Sequence, residues 1–540
     1  MELLRELCDL QEEHGYLSDD TLRDLSTRKR VPLYRLEGLV SFYPHFRRTP
    51  PAAHRIHVCR DVSCAMASGE QLAAALRTEF AGRADVEIHE VSCIGRCDAA
   101  PAVAWNEKPL APRTLADTDF IAGLIDGTKQ LDTEKAVSRK WKCDSHSSTD
   151  EQYGSVRDLA ASGQLASTCI ETLKDCNLRG MGGAGFPTGR KWELVAAEPA
   201  SPKYVICNAD ESEPGTFKDR LILAEIPHLV IEGMLLAGLT IGAESAIVYL
   251  RHEYTRELAA LHKAIEDARS RGVLGDDAAG SGKSFDIDVF ISPGGYILGE
   301  ETALLEALED KRGEPRIKPP YPGTHGLNGQ PTLINNVETF ALATSMIRNG
   351  ADWWREQGAG DIEGLKFVSI SGDVANPGVY EIPVGTTVSE LIDLAGGMSD
   401  GKSLKAFLPG GASSKFLPAE KASTPMDFAA MQAAGSMLGT GAVIVMSEDR
   451  DLFALATNLV RFFRNESCGK CVPCRVGSEK TVVLLDAVAC GSGTTEDLSF
   501  LPQLGDTLEQ TSICGLGQVA LNPILSMMEH FPGEVPSAEK

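Results

Sequence analysis

Leu178-Arg179-Gly180-Met181-Gly182-Gly183-Ala184-Gly185-Phe186-Pro187-Thr188-Gly189-Arg190-Lys191-Trp192 is the stretch around which this chain is organised, with five glycines inside ten residues. A backbone without Cβ atoms tolerates φ > 0 and lets a flat ring or a phosphate come close to the main chain. Phe186 inside the loop and Lys191 just after it add an aromatic face and a cation. The combination suits a nucleotide that carries both an anionic phosphate and a planar ring. Gly180, Gly182 and Gly185 fit G-x-G-x-x-G, but that fingerprint calls for a preceding strand, and residues 155–178 are helix-like. A standard Rossmann turn is therefore not predicted, and a glycine-rich turn that only packs two elements is the competing reading.

The residues that follow make the case for a ligand. Residues 203–207 read as a short apolar strand that runs into Asn208-Ala209-Asp210-Glu211-Ser212-Glu213-Pro214-Gly215. Polar groups at the C-terminal end of a strand are where open α/β sheets bind ligands. A helix over 221–239, a strand over 246–250, a helix over 257–271 and a strand over 285–291 continue a βα rhythm, which predicts a mostly parallel sheet. The last strand leads into Gly299-Glu300-Glu301-Thr302, where a helix begins. Carboxylates there also read as ordinary first-turn acids. Lys318-Pro319-Pro320-Tyr321 and Ile334-Asn335-Asn336 are two further loops rich in hydrogen-bonding groups.

Cysteine clusters flank the glycine loop on both sides in sequence. Cys59 and Cys64, then Cys93 and Cys97, stand at the exits of predicted strands over 55–58 and 86–91, with a helix over 71–80 between them. Four thiolates hold a [2Fe–2S] cluster or a structural zinc ion; neither pair has the tight C-x₂-C spacing of zinc knuckles, which favours the cluster. Near the C-terminus, Cys468, Cys471 and Cys474 form a C-x₂-C-x₂-C run that lets three thiolates converge on one cubane, a [4Fe–4S] signature with a Cys₄ zinc site as the alternative. Cys514 is the better remote fourth ligand and Cys490 its competitor.

The remainder is structural in character. Residues 1–48 show leucines at helical spacing, with Ser18 a helix cap, and a Pro50-Pro51 pair ends them. Residues 131–153 are polar and aperiodic and read as a linker, with Cys143 an incidental thiol. Residues 366–372 and 379–382 around Asn376-Pro377-Gly378 predict a hairpin in a β-rich spacer or docking module. The net charge of −24 argues against a nucleic-acid partner. No apolar run reaches the roughly 18 residues of a membrane helix and no secretory signal stands at the N-terminus, so a cytoplasmic location without direct membrane insertion is expected. In such a reducing compartment, fourteen cysteines read as metal or redox ligands before disulfides.

Together these motifs resemble one family, the NADH-oxidising flavoprotein subunit of respiratory NADH:quinone oxidoreductase and its soluble relatives in NAD-linked hydrogenases and formate dehydrogenases. The resemblance is carried by residues 180–192, Asn208-Ala209-Asp210-Glu211, Gly299-Glu300-Glu301-Thr302, Lys318-Pro319-Pro320, Asn335-Asn336 and Ser467-Cys468-Gly469-Lys470-Cys471 with Cys474. Residues 1–130 resemble the separate small [2Fe–2S] subunit of the same complexes, here fused to the flavoprotein. The implied fold is multidomain α/β. It comprises a helical bundle (1–50), a thioredoxin-like [2Fe–2S] domain (51–130), the linker, a Rossmann-like FMN/NADH domain (154–360), a β-grasp-like SLBB module (361–447) and a helical [4Fe–4S] domain (448–540).

The resemblance also implies site roles. FMN is expected at Gly180, Gly182, Lys191, Asn208, Asp210, Gly299, Glu300, Asn335 and Asn336, with Gly183 and Gly185 in the same cofactor-binding loop. NADH is expected over the flavin, its adenine flanked by Phe186 and Tyr321, and Glu211, Glu213, Glu301 and Lys318 shaping its pocket. Glu211 and Glu301 are the expected catalytic carboxylates, disfavouring extra negative charge near the reduced ring. Met181 stands where many members carry Arg, and Tyr321 where many carry Phe. The implied activity is an NAD(H)-linked diaphorase within a larger soluble complex. Its partners would be an iron–sulfur relay subunit and a formate dehydrogenase, hydrogenase or electron-bifurcating catalytic subunit. The NADH-oxidising subunit of the membrane respiratory complex is the alternative.

Overall fold

The computed structural model describes residues 1–110, 118–131 and 139–536. Three helices, Glu2–His14, Asp19–Lys29 and Leu33–Val40, open the chain, and the Ser18 hydroxyl accepts from the Thr21 amide to cap the second. Strands β1 (His54–Cys59), β2 (Val86–Val91), β3 (Val103–Trp105) and β4 (Lys108–Pro109) follow. They form a sheet in the order β2-β1-β3-β4, with β1 and β2 parallel and β3 antiparallel to β1.

The central sheet is wholly parallel. It consists of β5 (Tyr204–Ala209), β6 (Ser245–Arg251), β7 (Asp286–Ser292) and β8 (Thr332–Asn336), in the order β7-β6-β5-β8. The chain moves outward from β5 to β7 and then returns to the other side of β5. The strand order therefore reverses between β5 and β8, the place where open α/β sheets bind ligands. The register puts Cys207 opposite Asn335 and Asn208 opposite Asn336, so the polar ends of both strands meet at that switch point.

Successive side chains of these strands enter different cores, as a period of two requires. Val205, Cys207, Ala209, Val248 and Leu250 pack under helices Leu165–Asp175, Pro227–Ile241 and Val337–Arg355. Ile206, Ile247, Tyr249 and Phe290 join a second core with Leu4, Leu7 and Leu36 of the N-terminal helices, Tyr43 just after them, and residues of the C-terminal bundle. The small bundle thus supplies one covering layer of the parallel sheet, which needs both faces buried.

The helix expected over 221–239 is two helices, Lys218–Glu225 and Pro227–Ile241, bent by 94°. Pro227 lacks the amide needed to continue the first, and its fixed φ suits the first turn of the second. Among the described residues, no single helix is long and apolar enough to cross a membrane. The long helices pack at small residues: a Cβ on Gly233 would lie 2.3 Å from the Phe340 carbonyl oxygen. Gly233→Ala is expected to cost about 1–3 kcal/mol by overpacking, read as a lower denaturant midpoint in urea unfolding.

A mixed sheet forms the next domain from β9 (Leu365–Gly372), β10 (Gly378–Pro383), β11 (Leu404–Leu408), β12 (Leu417–Pro418) and β13 (Ala442–Ser447), ordered β10-β9-β13-β11-β12. β9 and β10 make the predicted antiparallel hairpin, with Gly378 opposite Ile370. The C-terminal domain is helical and centred on Leu452–Glu466 and Val472–Ala489.

Residues 132–138 of the expected linker lie outside the described residues, but 139–153 form a strap laid across three elements. The Trp141 indole donates to Glu225 at 2.9 Å. The Lys142 and Cys143 amides donate to Glu381 on β10 at 2.5 and 2.8 Å, and the Ser345 hydroxyl donates to the Cys143 carbonyl at 2.6 Å. Cys143 itself is buried.

Candidate functional site

The glycine loop leaves helix Leu165–Asp175 and enters helix Thr188–Ala197, so no strand precedes it. Its neck is closed by main-chain bonds from Gly180 N–H to the Phe186 carbonyl at 2.9 Å and from Thr188 N–H to the Leu178 carbonyl at 2.7 Å. Two positions require glycine outright. Gly183 has φ +115°, and Gly185 has φ +63° with the Phe428 ring 2.9 Å from where its Cβ would stand. Gly182 packs close to Asn336, whose Cβ lies 3.1 Å from a Cβ built on it. The loop is thus a bare main-chain surface resting on the ends of β5 and β8.

Around it the polar groups are held by one another. Lys191 reaches the Ile334 carbonyl at 3.0 Å with its ammonium 5.9 Å from the Phe186 ring centroid, and burial holds its pKa below the usual value. The Asn335 side-chain oxygen accepts from the Trp192 indole at 3.1 Å, leaving its NH₂ group as the donor on offer. Asn336 caps helix Val337–Arg355 through its oxygen and donates to Asp219 at 2.5 Å. The Asn208 amide donates to the Gly299 carbonyl at 2.8 Å, and a Cβ on Gly299 would stand a tight 3.2 Å from the Asp210 carbonyl oxygen. Asp210 accepts from Ser212 and Ser292, and burial pushes its carboxyl up to about 6.

The carboxylates of this region have different surroundings. Glu300 caps its helix through the Thr302 and Ala303 amides and accepts from Lys318 at 3.0 Å; Lys318 also reaches Glu301 at 3.1 Å. Burial opposes the Lys318 charge, but these two carboxylates outweigh it and raise its pKa. Phe186 and Tyr321 expose 45% and 60% of their surface, leaving both aromatic faces open to a ligand. Glu213 is held by the Ser413 amide at 2.8 Å and the Tyr296 hydroxyl at 3.3 Å.

Glu211 points away from this opening, into the N-terminus of helix Lys218–Glu225. It accepts from the Asp219 and Arg220 amides at 2.8 and 3.0 Å and from the Tyr254 hydroxyl at 2.9 Å. Burial first, and the neighbouring Asp219 charge second, push its carboxyl up to about 8. A carboxyl raised in the folded state contributes stability that is complete below its unfolded value and is lost as pH climbs through about 8. Between pH 6 and 9 the thermal midpoint of the wild type should therefore fall more steeply than that of Glu211→Gln.

The first thiol quartet is enclosed. Cys59 ends β1, Cys64 lies in helix Val62–Met66, Cys93 follows β2 and Cys97 begins a 3₁₀ turn; all four are at most 4% exposed. Cys93 and Cys97 sulfurs are 3.6 Å apart. Main-chain N–H groups point at the sulfurs: Gly95 at Cys93 (3.4 Å), Ala102 at Cys64 (3.3 Å) and Gly215 at Cys97 (3.4 Å). Such donors suit sulfur-bound iron. Gly215 belongs to the loop after β5, so the polar loop at the switch point and the thiol quartet are in direct contact. Arg251 ties them again, donating to the Glu211 and Cys93 carbonyls.

The second quartet forms where three chain segments meet. Cys474 lies in the first turn of Val472–Ala489, Cys468 and Cys471 in the loop before it, and Cys514 caps helix Gly515–Val519. Gly517 of that helix packs so closely that its Cβ would stand 2.9 Å from the Cys474 Cβ. Cys490 is exposed at the far end of the Val472–Ala489 helix, sixteen residues beyond Cys474, about 24 Å at the helical rise. Cys514, not Cys490, therefore stands beside the other three thiols.

Several residues in this region carried no local sequence signal. Glu466 accepts from the Ser92 hydroxyl at 2.5 Å and the Tyr296 amide at 2.8 Å. It thereby links the loops of both quartets and the glycine-rich segment after β7. Beneath the glycine loop, Lys218 pairs with Asp219 at 2.7 Å and with Glu338 at 2.8 Å. Lys366 on β9 lies 3.4 Å from Glu338 and 3.5 Å from the Met181 sulfur. The β-rich module, expected to be a spacer or docking module, contributes a buried lysine under the cradle and an amide to Glu213.

This set of domains and sites defines an oxidoreductase acting on NAD(H). Comparison with known proteins agrees. Residues 173–344 match the Nuo51 FMN-binding domain, 454–538 the NADH-ubiquinone oxidoreductase-F iron-sulfur binding region, 1–123 the thioredoxin-like [2Fe-2S] ferredoxin and 367–416 the SLBB domain. An F-type NADH-quinone oxidoreductase subunit of Rhizobium meliloti (strain 1021) is 43% identical over 390 residues, covering 72% of this chain and 93% of that protein. NAD-reducing hydrogenase HoxS subunit alpha of Cupriavidus necator is 34% identical, covering 97% of this chain and 90% of that one. The crystal structure of an NAD+-reducing [NiFe]-hydrogenase in the H2-reduced state contains a chain that superposes with a TM-score of 0.89 at 33% identity, covering 99% of this chain and 93% of that one. The chain belongs to the family of these F-type NADH-quinone oxidoreductase and NAD-reducing hydrogenase alpha subunits. Its cofactors are FMN, NAD(H), a [2Fe–2S] cluster and a [4Fe–4S] cluster, and the bare glycine surface and the two thiol quartets fit them.

Proposed function

We propose that this chain is the diaphorase subunit of a larger cytoplasmic redox complex, exchanging electrons between NAD(H) and a catalytic subunit through iron–sulfur clusters. The observation that carries the reading is Glu466, whose single carboxylate touches Ser92 beside Cys93, Tyr296 in the loop after β7, and, through the chain itself, Cys468. One ligand cradle and two thiol quartets are thereby wired into one unit. FMN, when bound, accepts two electrons together and releases them singly, the exchange needed between a hydride donor and iron–sulfur clusters.

In this reading the chain's own residues bind and orient. Gly180, Gly182, Gly183, Gly185 and Gly299 keep main chain open to the flavin, and Asn208, Asp210, Asn335 and Asn336 fix the strand ends around it. Lys191 adds a cation on the cradle side. Phe186 and Tyr321 offer stacking faces for the adenine, with Glu301 and Lys318 at the same opening. Glu300 positions Lys318 and the helix start. Glu211 acts as a positioning residue, fastening the loop after β5 to Tyr254 beyond β6, beside Arg251, which reaches the Cys93 carbonyl of the [2Fe–2S] domain. Glu213 does the same toward the β-rich module. Cys59, Cys64, Cys93 and Cys97 would hold the [2Fe–2S] cluster, and Cys468, Cys471, Cys474 and Cys514 the [4Fe–4S] cluster.

The fused architecture favours a hydrogenase-type or formate dehydrogenase-type assembly. The hydrogenase alpha subunit aligns with 97% of the chain and the quinone-linked subunit with 72%. The 43% identity to that quinone-linked relative is the ground for the second reading, a respiratory NADH:quinone oxidoreductase. Anaerobic addition of NADH to the purified brown holoprotein should bleach the flavin band and bring up iron–sulfur EPR signals. A colourless, zinc-loaded preparation that NADH leaves unchanged would rule the reading out. Native mass spectrometry of the copurifying subunits separates the two assemblies.

A further inference from the structure

We propose that Asp144, His146 and His228 form a zinc site that clasps the strap to the flavin-binding domain. One ligand atom from each residue lies within 4.8 Å of the other two. Asp144 and His146 belong to the strap, and His228 stands in the first turn of helix Pro227–Ile241. Asp144 Oδ1 is 2.7 Å from His146 Nδ1, and Oδ2 is 3.2 Å from His228 Nε2. Donor atoms around a tetrahedral zinc with bonds of about 2.0–2.1 Å stand roughly 3.3 Å apart. The His228–Asp144 pair has that spacing, and the His146–Asp144 pair at 2.7 Å is a hydrogen bond that a bound ion would replace.

Two observations favour a dication over a hydrogen-bonded clasp. First, beyond the His146 Nδ1–Asp144 hydrogen bond, His228 Nε2 faces Asp144 without the alignment of a hydrogen bond, and His146 Nε2 has no partner although that side chain is only 3% exposed. Second, Glu232 is fully buried one helical turn beyond His228; burial raises its pKa and positive charge at the two imidazoles lowers it, so a cation held there would keep it ionised. Its carboxylate accepts only long bonds, from the Tyr153 and Val156 amides at 3.2 and 3.3 Å. Two carboxylates around two imidazoles balance a doubly charged ion while the rings stay neutral, the form that binds metal.

Nitrogen and oxygen donors with three protein ligands and one open position suit zinc. Asp144, with 21% of its side chain exposed, leaves solvent in reach of the fourth position. A redox-inert ion adds no electron-carrying state to a chain full of them. Its role here is mechanical, since the strap lies on the covalent path from the [2Fe–2S] domain to the flavin-binding domain.

The test uses the full-length holoprotein washed with EDTA, then dialysed against added zinc. Elemental analysis should find about one zinc per chain, and absorption at the zinc K-edge should show nitrogen and oxygen at about 2.0 Å with no sulfur at about 2.3 Å. Asp144→Asn and His228→Gln should each lower bound zinc by about tenfold or more, with iron and flavin per chain unchanged. Absence of zinc from the wild type, a sulfur shell around it, or undiminished zinc in both variants would overturn the assignment. If neither variant folds, the wild-type absorption spectrum decides alone.

Discussion

Gly182→Val should yield a folded chain that purifies without flavin and does not oxidise NADH. A Cβ at this position already stands 3.1 Å from the Asn336 Cβ, and valine adds two further carbons to that contact. Asn336 cannot step aside, because it caps helix Val337–Arg355 and donates to Asp219 at 2.5 Å. The glycine loop must then lift off the ends of β5 and β8, which separates the two halves of the cradle. Gly154→Ala is the matched control: it lies outside the cradle at the start of helix Gly154–Ser162, and a Cβ there would meet nothing within 4 Å. Flavin released by heat, counted per chain, should fall about a hundredfold or more for Gly182→Val, a loss of about 2.7 kcal/mol in binding. Full flavin content in that variant would show that the loop is not the flavin cradle.

The second large effect belongs to the C-terminal thiols. Cys514→Ser should remove the [4Fe–4S] cluster, so that iron falls from about six to about two atoms per chain. NADH would still bleach the flavin in that variant, but delivery of electrons to the partner subunit would stop. Cys490→Ser should change neither iron content nor electron delivery. The contrast follows from geometry: Cys514 packs beside Cys474 through Gly517, whereas Cys490 lies exposed at the other end of an 18-residue helix. Loss of iron in Cys490→Ser, with Cys514→Ser unaffected, would reverse the ligand assignment.

What sequence reasoning reached was whatever repeats or clusters locally. The alternation of residues 86–91, each strand and helix from β5 to β7, the cysteine spacings within each cluster and the glycine density are all read within stretches no longer than a helix. The helical segment before the glycine loop was also legible, and it correctly separated this loop from a standard Rossmann turn. The break at Pro227 had a local signal that the strong apolar run around it obscured. The sequence favoured Cys514 over Cys490 as fourth ligand, but spacing alone left Cys490 as a competitor, since both follow the C-x₂-C-x₂-C run at plausible distances, and packing separates them.

The contacts that join domains left no such trace. Glu466 meets Ser92 across 374 positions, and Lys366 meets Met181 across 185. A single glutamate at the end of a helix and a single lysine at the start of a strand look like ordinary surface residues until the fold brings them together. Glu211 shows the complementary case. Its place after β5 marked it as a ligand-pocket acid, yet the adjacent N-terminus of Lys218–Glu225 and the Tyr254 hydroxyl claim its oxygens.

The strap over residues 139–153 has a further outcome for assembly. Where two electron carriers sit on separate polypeptides, dilution or uneven synthesis leaves some of one without the other. Here their encounter happens within one molecule, at an effective concentration set by a short anchored tether. Each flavin site is consequently made with its own [2Fe–2S] domain in a one-to-one ratio, and the pair should stay together however dilute the protein becomes.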